Sequence, residues 1–125
     1  MSQLKVNRIK FTELQHQLNI PLHRFYSYNK VCNNSAELKE RLFDYKFGKS
    51  NNRSKLQRFR QYYEDRIKKD FSTRLQVDRN RNAFEALRDE FNNSFEFFFV
   101  QNSANINIAD RMWKQFYNEF WKLKN

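Results

Sequence analysis

Apolar residues recur at intervals of three and four along most of the chain, which places them on one face of an α-helix. The longest such stripe consists of Leu56, Phe59, Tyr63, Ile67 and Phe71. Ser54 precedes it, and Gln57 follows Ser54 at the spacing of a capping box. The pattern therefore predicts a helix that Ser54 caps, after a polar loop that starts at Gly48.

Two short helices are predicted before residue 33. The apolar face of the first comprises Phe11, Leu14 and Leu18. Thr12 and Gln15 have capping-box spacing, so this helix is expected to start near Thr12 and end near Asn19. Pro21 opens the second helix because its fixed φ suits the first turn. That helix is expected to reach Cys32, with an apolar face made by Leu22, Phe25 and Tyr26.

A third helix is predicted over residues 35–47. Glu37 follows Asn34 at capping distance, and Gly48 can end the helix in the left-handed conformation.

Two aromatic helices are predicted beyond residue 78. Asp78 can cap the first, whose face consists of Phe84, Leu87, Phe91, Phe95 and Phe98. The end of this stripe, residues 95–100, also suits a β-strand, but no second strand candidate exists to pair with it, so a helix is favoured. The last segment carries Ile108, Met112, Trp113, Phe116, Tyr117, Phe120 and Trp121, a face wider than one intramolecular contact needs.

These elements predict an all-α protein, a small helical bundle over a single domain of residues 1–125. One Gly and one Pro are too few for the many tight turns of an all-β fold, and 39% hydrophobic residues suffice for a core. No apolar run has the length of a membrane-spanning helix, and the first residues lack the apolar core of a secretory signal.

The charge balance indicates an acidic partner. Lys and Arg number 24 against 14 Asp and Glu, a formal net charge of +10. This excess suits nucleic acid, an anionic membrane surface or an acidic protein about equally. Cys32 is the single cysteine, which excludes an intrachain disulfide and favours a small buried side chain.

No residue pattern indicates catalysis or metal binding. His16 and His23 stand seven apart without a cysteine or an H-E-x-x-H motif beside them, and one glycine cannot form a phosphate-binding loop. Glu64-Asp65 and Asp89-Glu90 are adjacent pairs whose side chains point about 100° apart on a helix, which is typical of solvated faces. A non-enzymatic, metal-free protein is expected.

Residues 11–30 resemble a helix–turn–helix motif. The turn Leu18-Asn19-Ile20 stands where this motif has Leu-Gly-Val or Leu-Gly-Ile, and an apolar residue follows at the expected spacing in the second helix. Asn tolerates the left-handed conformation that the glycine position needs. The motif implies a sequence-specific DNA-binding regulator, acting as a dimer, in a bacterial or phage cytoplasm. Its second helix would present Leu22, His23, Arg24 and Ser27 to DNA.

A longer pattern resembles the LYR-motif family of small mitochondrial proteins. The residues that carry it are Leu22-His23-Arg24, then Tyr62-Tyr63-Glu64-Asp65-Arg66-Ile67-Lys68-Lys69-Asp70-Phe71, and Asp78 before a Phe-rich helix. The resemblance covers roughly residues 20–100. His23 stands where the motif has tyrosine, and residues 33–53 form an additional segment between the first two family helices.

This resemblance implies three long helices and a non-catalytic accessory subunit or assembly factor of a mitochondrial, most plausibly respiratory, complex. Its location would be the matrix or the matrix face of the inner membrane. Its partner would be an acyl carrier protein that brings its own acyl-phosphopantetheine, so no cofactor is bound directly. The carrier-binding residues implied are Leu22, His23, Arg24, Arg66 and Lys69. The acyl-chain pocket implied consists of Phe25, Ile67, Phe71, Phe84 and Leu87.

Residues 105–125 lie outside the family-like core and are predicted to form a helix that docks on the larger complex. Clustered aromatics are typical of interface anchors, here Trp113, Phe116, Phe120 and Trp121. A third alternative is a basic structural component of a mitochondrial ribosome, for which the positive charge alone suffices.

Overall fold

The protein is all-α, as its sequence predicts. A computed structural model describes residues 8–49, 52–99 and 106–119, which form seven helices and contain no β-strand. The chain divides into two compact units, residues 1–51 and residues 52–125. The prediction of one domain over residues 1–125 stays a prediction. None of the helices described combines the length and apolar character needed to cross a membrane.

The first unit contains three helices. They are α1 (Arg8–Leu18), α2 (Leu22–Val31) and α3 (Ser35–Phe47). The predicted bounds of α2 and α3 agree with these to within a residue or so. The predicted start of α1 is wrong, because the helix already exists at Arg8 and Thr12 lies inside it. Capping-box spacing alone does not locate a helix start when favourable residues extend the helix upstream.

The boundaries of α3 form as the sequence predicts. The side chain of Asn34 accepts a hydrogen bond from the backbone N–H of Glu37 at 2.8 Å, so it satisfies a donor that the first turn leaves without a partner. In return, the Glu37 carboxylate accepts from the backbone N–H of Asn33. At the other end, Gly48 has φ 86°, a conformation that costs glycine little because it has no Cβ.

The second unit contains four helices. They are α4 (Lys55–Asp70), α5 (Arg74–Arg79), α6 (Arg81–Phe99) and α7 (Ile106–Tyr117). Ser54 and Gln57 form the predicted capping box at the start of α4. Residues 95–99 are helical, in agreement with the choice of helix over strand, whereas Val100 lies outside the described residues.

The predicted capping role of Asp78 is wrong. Thr73 and Gln76 form a capping box instead and start the short helix α5, in which Asp78 is the fifth residue. Asn80 follows as the C-cap of α5, and α6 begins at Arg81. Thr and Asp are both good N-caps, so only the geometry of the turn at residues 71–73 decides between them.

Stacked and edge-on aromatic rings form the core of the second unit. Phe91 is fully buried, and its ring centroid lies 5.2 Å from each of three others, those of Phe59, Tyr63 and Trp113. Phe116 lies 5.9 Å away. Aromatic pairs at these distances stabilise a core by more than the burial of their apolar surface alone would. Helices α4, α6 and α7 are therefore held together by one aromatic cluster.

Candidate nucleic-acid interface

The connection between α1 and α2 contains one residue in the left-handed conformation. Asn19 has φ 56°, the left-handed conformation that its place in the sequence predicts. Its neighbours Leu18 and Ile20 are 0% and 1% exposed, so both sides of the turn are anchored in the core of the unit. Since Pro21 is the N-cap of α2, three residues separate the two helices.

Aromatic contacts fix α2 against α1. Phe25 is fully buried, and its ring stacks on that of Phe11 with centroids 5.4 Å apart. The Tyr26 ring meets Phe11 edge-on at 5.3 Å. Because Phe25 points into the core, the opposite side of α2 faces solvent.

The solvent-facing side of α2, called here the outer face, comprises His23, Ser27 and Lys30. These residues are spaced at four and three, lie opposite Phe25 and are all exposed. Each carries a group that donates or accepts hydrogen bonds, and Lys30 carries a positive charge. Sequence reasoning found His23 and Ser27 but missed Lys30. Its position seven residues after His23 is the signal that would have placed it on the same face.

Arg24 lies beside the outer face and is held by α3. Its guanidinium carbon lies 4.6 Å from the centre of the Tyr45 ring, within the range of a cation–π contact. Its Nε is buried and makes no hydrogen bond with the residues that the structure describes. The terminal nitrogens of this side chain are thus positioned by packing, which would lower the entropy cost of binding an anion.

The segment that contains the turn and α2 carries no carboxylate. No Asp or Glu occurs between Glu13 and Glu37, whereas the same stretch contains Arg24 and Lys30. Over residues 8–49 as a whole, Lys and Arg outnumber Asp and Glu by eight to four. This segment therefore presents cations and neutral side chains, and the neighbouring carboxylates of the first unit come from α1 and α3.

The comparisons with known proteins give no match. Neither a family model, nor a characterised protein, nor a solved structure is similar to this chain.

The residues predicted to bind an acyl carrier protein belong to both units. Leu22, His23 and Arg24 are in α2 of the first unit, where Leu22 is half-buried. Arg66 and Lys69 are in α4 of the second unit. Lys69 is exposed, whereas Arg66 is paired with Glu90 inside the same unit. Carrier binding through these residues stays a prediction.

The residues predicted to line an acyl-chain pocket are core residues. Phe25 is buried in the first unit, whereas Ile67, Phe71, Phe84 and Leu87 are buried in the second. Phe71 and Phe84 touch edge-on with ring centroids 5.5 Å apart. A groove of about 370 Å³ lies between α6 and α7, and none of these residues lines it. Their role in acyl binding stays a prediction.

Two of the four predicted docking aromatics are core residues rather than surface anchors. Trp113 and Phe116 are 6% and 0% exposed, and Trp113 packs on Phe84 and Phe91. The wide apolar face of α7 arises because this helix closes the aromatic core. The other two residues, Phe120 and Trp121, lie outside the described residues, so their docking role stays a prediction.

A buried polar network lies in the second unit, where the sequence predicted a solvated Glu90. The Tyr63 hydroxyl donates to Glu90 Oε2 at 2.9 Å and accepts from Ser94 Oγ at 3.0 Å. Arg66 Nη1 donates to the same Glu90 oxygen at 2.6 Å. Glu90 follows Leu87 by three residues and adjoins Phe91, so it lies at the edge of the apolar stripe. That position at the edge was the signal for its burial.

The network changes the proton affinity of two of its members. Burial raises the pKa of Tyr63 well above 10.0, and the charge of Glu90 raises it further. For Arg66, burial opposes the charged form, but the hydrogen bond and the charge of Glu90 outweigh it, so the pKa of Arg66 is raised. Within residues 8–49, 52–99 and 106–119, no group of three or more His, Cys, Asp or Glu side chains could hold a metal ion.

Proposed function

We propose that the first unit is a helix–turn–helix module that binds duplex DNA through the outer face of α2. The observation that carries the proposal is the left-handed Asn19 between two fully buried neighbours, Leu18 and Ile20, at the connection of α1 and α2. In helix–turn–helix proteins this arrangement lets the second helix enter the major groove while the first helix crosses the backbone.

The chemistry of the outer face suits contacts with base edges. Lys30 and the ring N–H of His23 can donate to guanine O6 and N7, and the Ser27 hydroxyl can donate or accept. Arg24 is packed on Tyr45 and donates in this proposal to a phosphate beside the groove. The outer face of α2 therefore reads the base sequence, and Arg24 positions the protein on the DNA backbone.

The experiment that tests the proposal is selection of duplexes from a random-sequence DNA pool by the full chain. The affinity of the selected duplex is then compared with that of a scrambled duplex at fixed salt. The test variant is His23→Ala/Ser27→Ala/Lys30→Ala. A matched control is His16→Ala/Ser35→Ala/Lys39→Ala, which replaces the same residue types at exposed positions of α1 and α3.

The test variant should no longer prefer the selected duplex, because removing a side chain that reads a base costs about 1–3 kcal/mol, roughly tenfold to a hundredfold in affinity. The control should keep that preference. Failure of the pool to yield an enriched sequence, or equal discrimination by test and control variants, would contradict the proposal. Co-purification of an acyl carrier protein with the DNA-inactive chain would instead support the LYR-like expectation.

A further inference from the structure

A polar groove lies along the first half of α4 in the second unit. Its volume is about 260 Å³, and it is lined by Arg53, Gln57, Arg60, Gln61 and Glu64. These residues are spaced at three and four, so they follow one side of the helix and the turn before it. Every one of them carries a hydrogen-bonding group.

The groove supplies donors for an anion. Arg53 is exposed and makes no hydrogen bond or ion pair with the residues that the structure describes. Arg60 lies 3.9 Å from Glu64 and 3.3 Å from Glu119, so its charge is partly balanced within the unit. The side-chain oxygen of Gln57 accepts from the backbone of Ser54, which leaves its amide nitrogen outside the capping box.

The sequence around this groove is rich in cations. Within the second unit, no Asp or Glu occurs between Asn52 and Glu64, and the same stretch carries four Lys or Arg residues. A phosphate backbone is the extended anion that such a density of cations fits, because neutralising each phosphate releases condensed counterions. A lipid surface fits less well, since membrane-bound helices insert apolar side chains and the lining of the groove has none.

We infer that this groove binds the sugar–phosphate backbone of duplex DNA and gives the chain an affinity for DNA that does not depend on sequence. The inference rests on the proposed function, since it takes DNA as the ligand of the chain. Arg53 and Arg60 donate to phosphate oxygens, with the amide nitrogen of Gln57 as an additional donor, whereas the amide nitrogen of Gln61 donates to Asp65. Backbone contacts of this kind carry no sequence preference.

The test is the salt dependence of binding to random-sequence duplex DNA, measured with the full chain. The groove variant is Arg53→Ala/Arg60→Ala. The matched control is Arg74→Ala/Lys114→Ala, which removes the same charge from two exposed cations of the second unit that are paired with Asp78 and Asp110. Circular dichroism of both variants verifies that the helices are retained.

The groove variant should lower the slope of log Kd against log salt by about two, close to one for each phosphate that the variant no longer neutralises. Its affinity should fall by the same factor for selected and scrambled duplexes, while the control keeps the slope of the unmodified chain. A slope equal to that of the control would overturn this inference and leave the role of α2 intact. An unmodified chain that binds no duplex would overturn both.

Discussion

The ammonium of Lys46 donates to the carbonyl oxygen of Leu18 at 2.7 Å. Leu18 is the last residue of α1, where backbone carbonyls lack helical partners and the helix dipole is negative, so a cation is favourable there. Since Asn19 follows directly, this contact ties α3 to the turn between α1 and α2. The turn is thus stabilised by the hydrogen bond from Lys46 on α3, in addition to the ring contact between Phe11 and Phe25.

Replacing Lys46 with methionine should loosen α1 and the turn. The substitution keeps an apolar chain of similar length but removes the charged donor, and hydrogen bonds that involve a charged group contribute about 1.5 kcal/mol or more. Amide hydrogen exchange over α1 should become about tenfold faster, as mass spectrometry of its peptides would show. The exposed Lys49, replaced in the same way, is the control. Equal exchange rates in both variants would show that the Lys46 contact is not stabilising.

Asn19 should accept glycine but not alanine or valine. Its side chain is exposed, so substitutions test the backbone conformation rather than side-chain packing. Glycine adopts φ near 56° freely, whereas alanine at this φ costs about 1 kcal/mol and a β-branched residue costs more. Pulse proteolysis in urea, with cleavage followed in residues 8–49, should rank glycine at least as stable as asparagine, and valine as least stable. A valine variant as stable as the glycine variant would mean that the turn is not held in this conformation.

The sequence predicts those parts of the fold that depend on neighbouring residues. The cap by Asn34, the capping box at Ser54 and the left-handed Asn19 all follow from residues within four positions of one another. The prediction that Asp78 caps a helix was wrong, because neighbouring residues alone did not determine the cap. Thr73 and Asp78 have the same capping chemistry, and their sequence does not show that the chain forms a separate short helix, α5, capped by Thr73.

Contacts between distant positions could not be predicted from local spacing. Lys46 finds its acceptor 28 positions earlier in the chain, and Glu90 finds Tyr63 27 positions earlier. Side-chain patterns indicate which face of a helix is apolar, but they do not indicate which charged residue has a partner across the core. This is why Glu90 was expected on a solvated face, and why Trp113 was expected at an interface.

Replacing Trp113 with alanine should destabilise the second unit by about 3–5 kcal/mol, the usual cost of removing a large buried aromatic side chain. Tyr117 on the same helix is 38% exposed, and its alanine variant should be destabilised by about 1 kcal/mol or less. Urea unfolding followed by far-ultraviolet circular dichroism measures both. If Trp113 were a docking anchor, its variant would instead unfold at the same urea concentration as the unmodified chain.

Tyr63 should make the stability of the second unit depend on alkaline pH. Its pKa is raised well above the ordinary value of 10.0, chiefly by burial and then by Glu90, because a phenolate would lie in the core beside a carboxylate. In the unfolded chain the hydroxyl ionises near pH 10. The stabilisation from Tyr63 is therefore complete below that pH and is lost as pH rises toward the raised pKa.

Tyr63→Phe isolates this effect, since it removes the ionisable group and keeps the ring against Phe59 and Phe91. Below pH 10 the variant should be less stable by about 1 kcal/mol, the usual contribution of a buried hydrogen bond. Above pH 10 the difference in unfolding free energy should shrink and then reverse. Tyr117→Phe at an exposed position is the control, and absorbance titration should show that the last tyrosine to ionise is missing only from the Tyr63 variant. A constant difference between Tyr63→Phe and the unmodified chain across this pH range would mean that the Tyr63 hydroxyl ionises as readily in the folded chain as in the unfolded one.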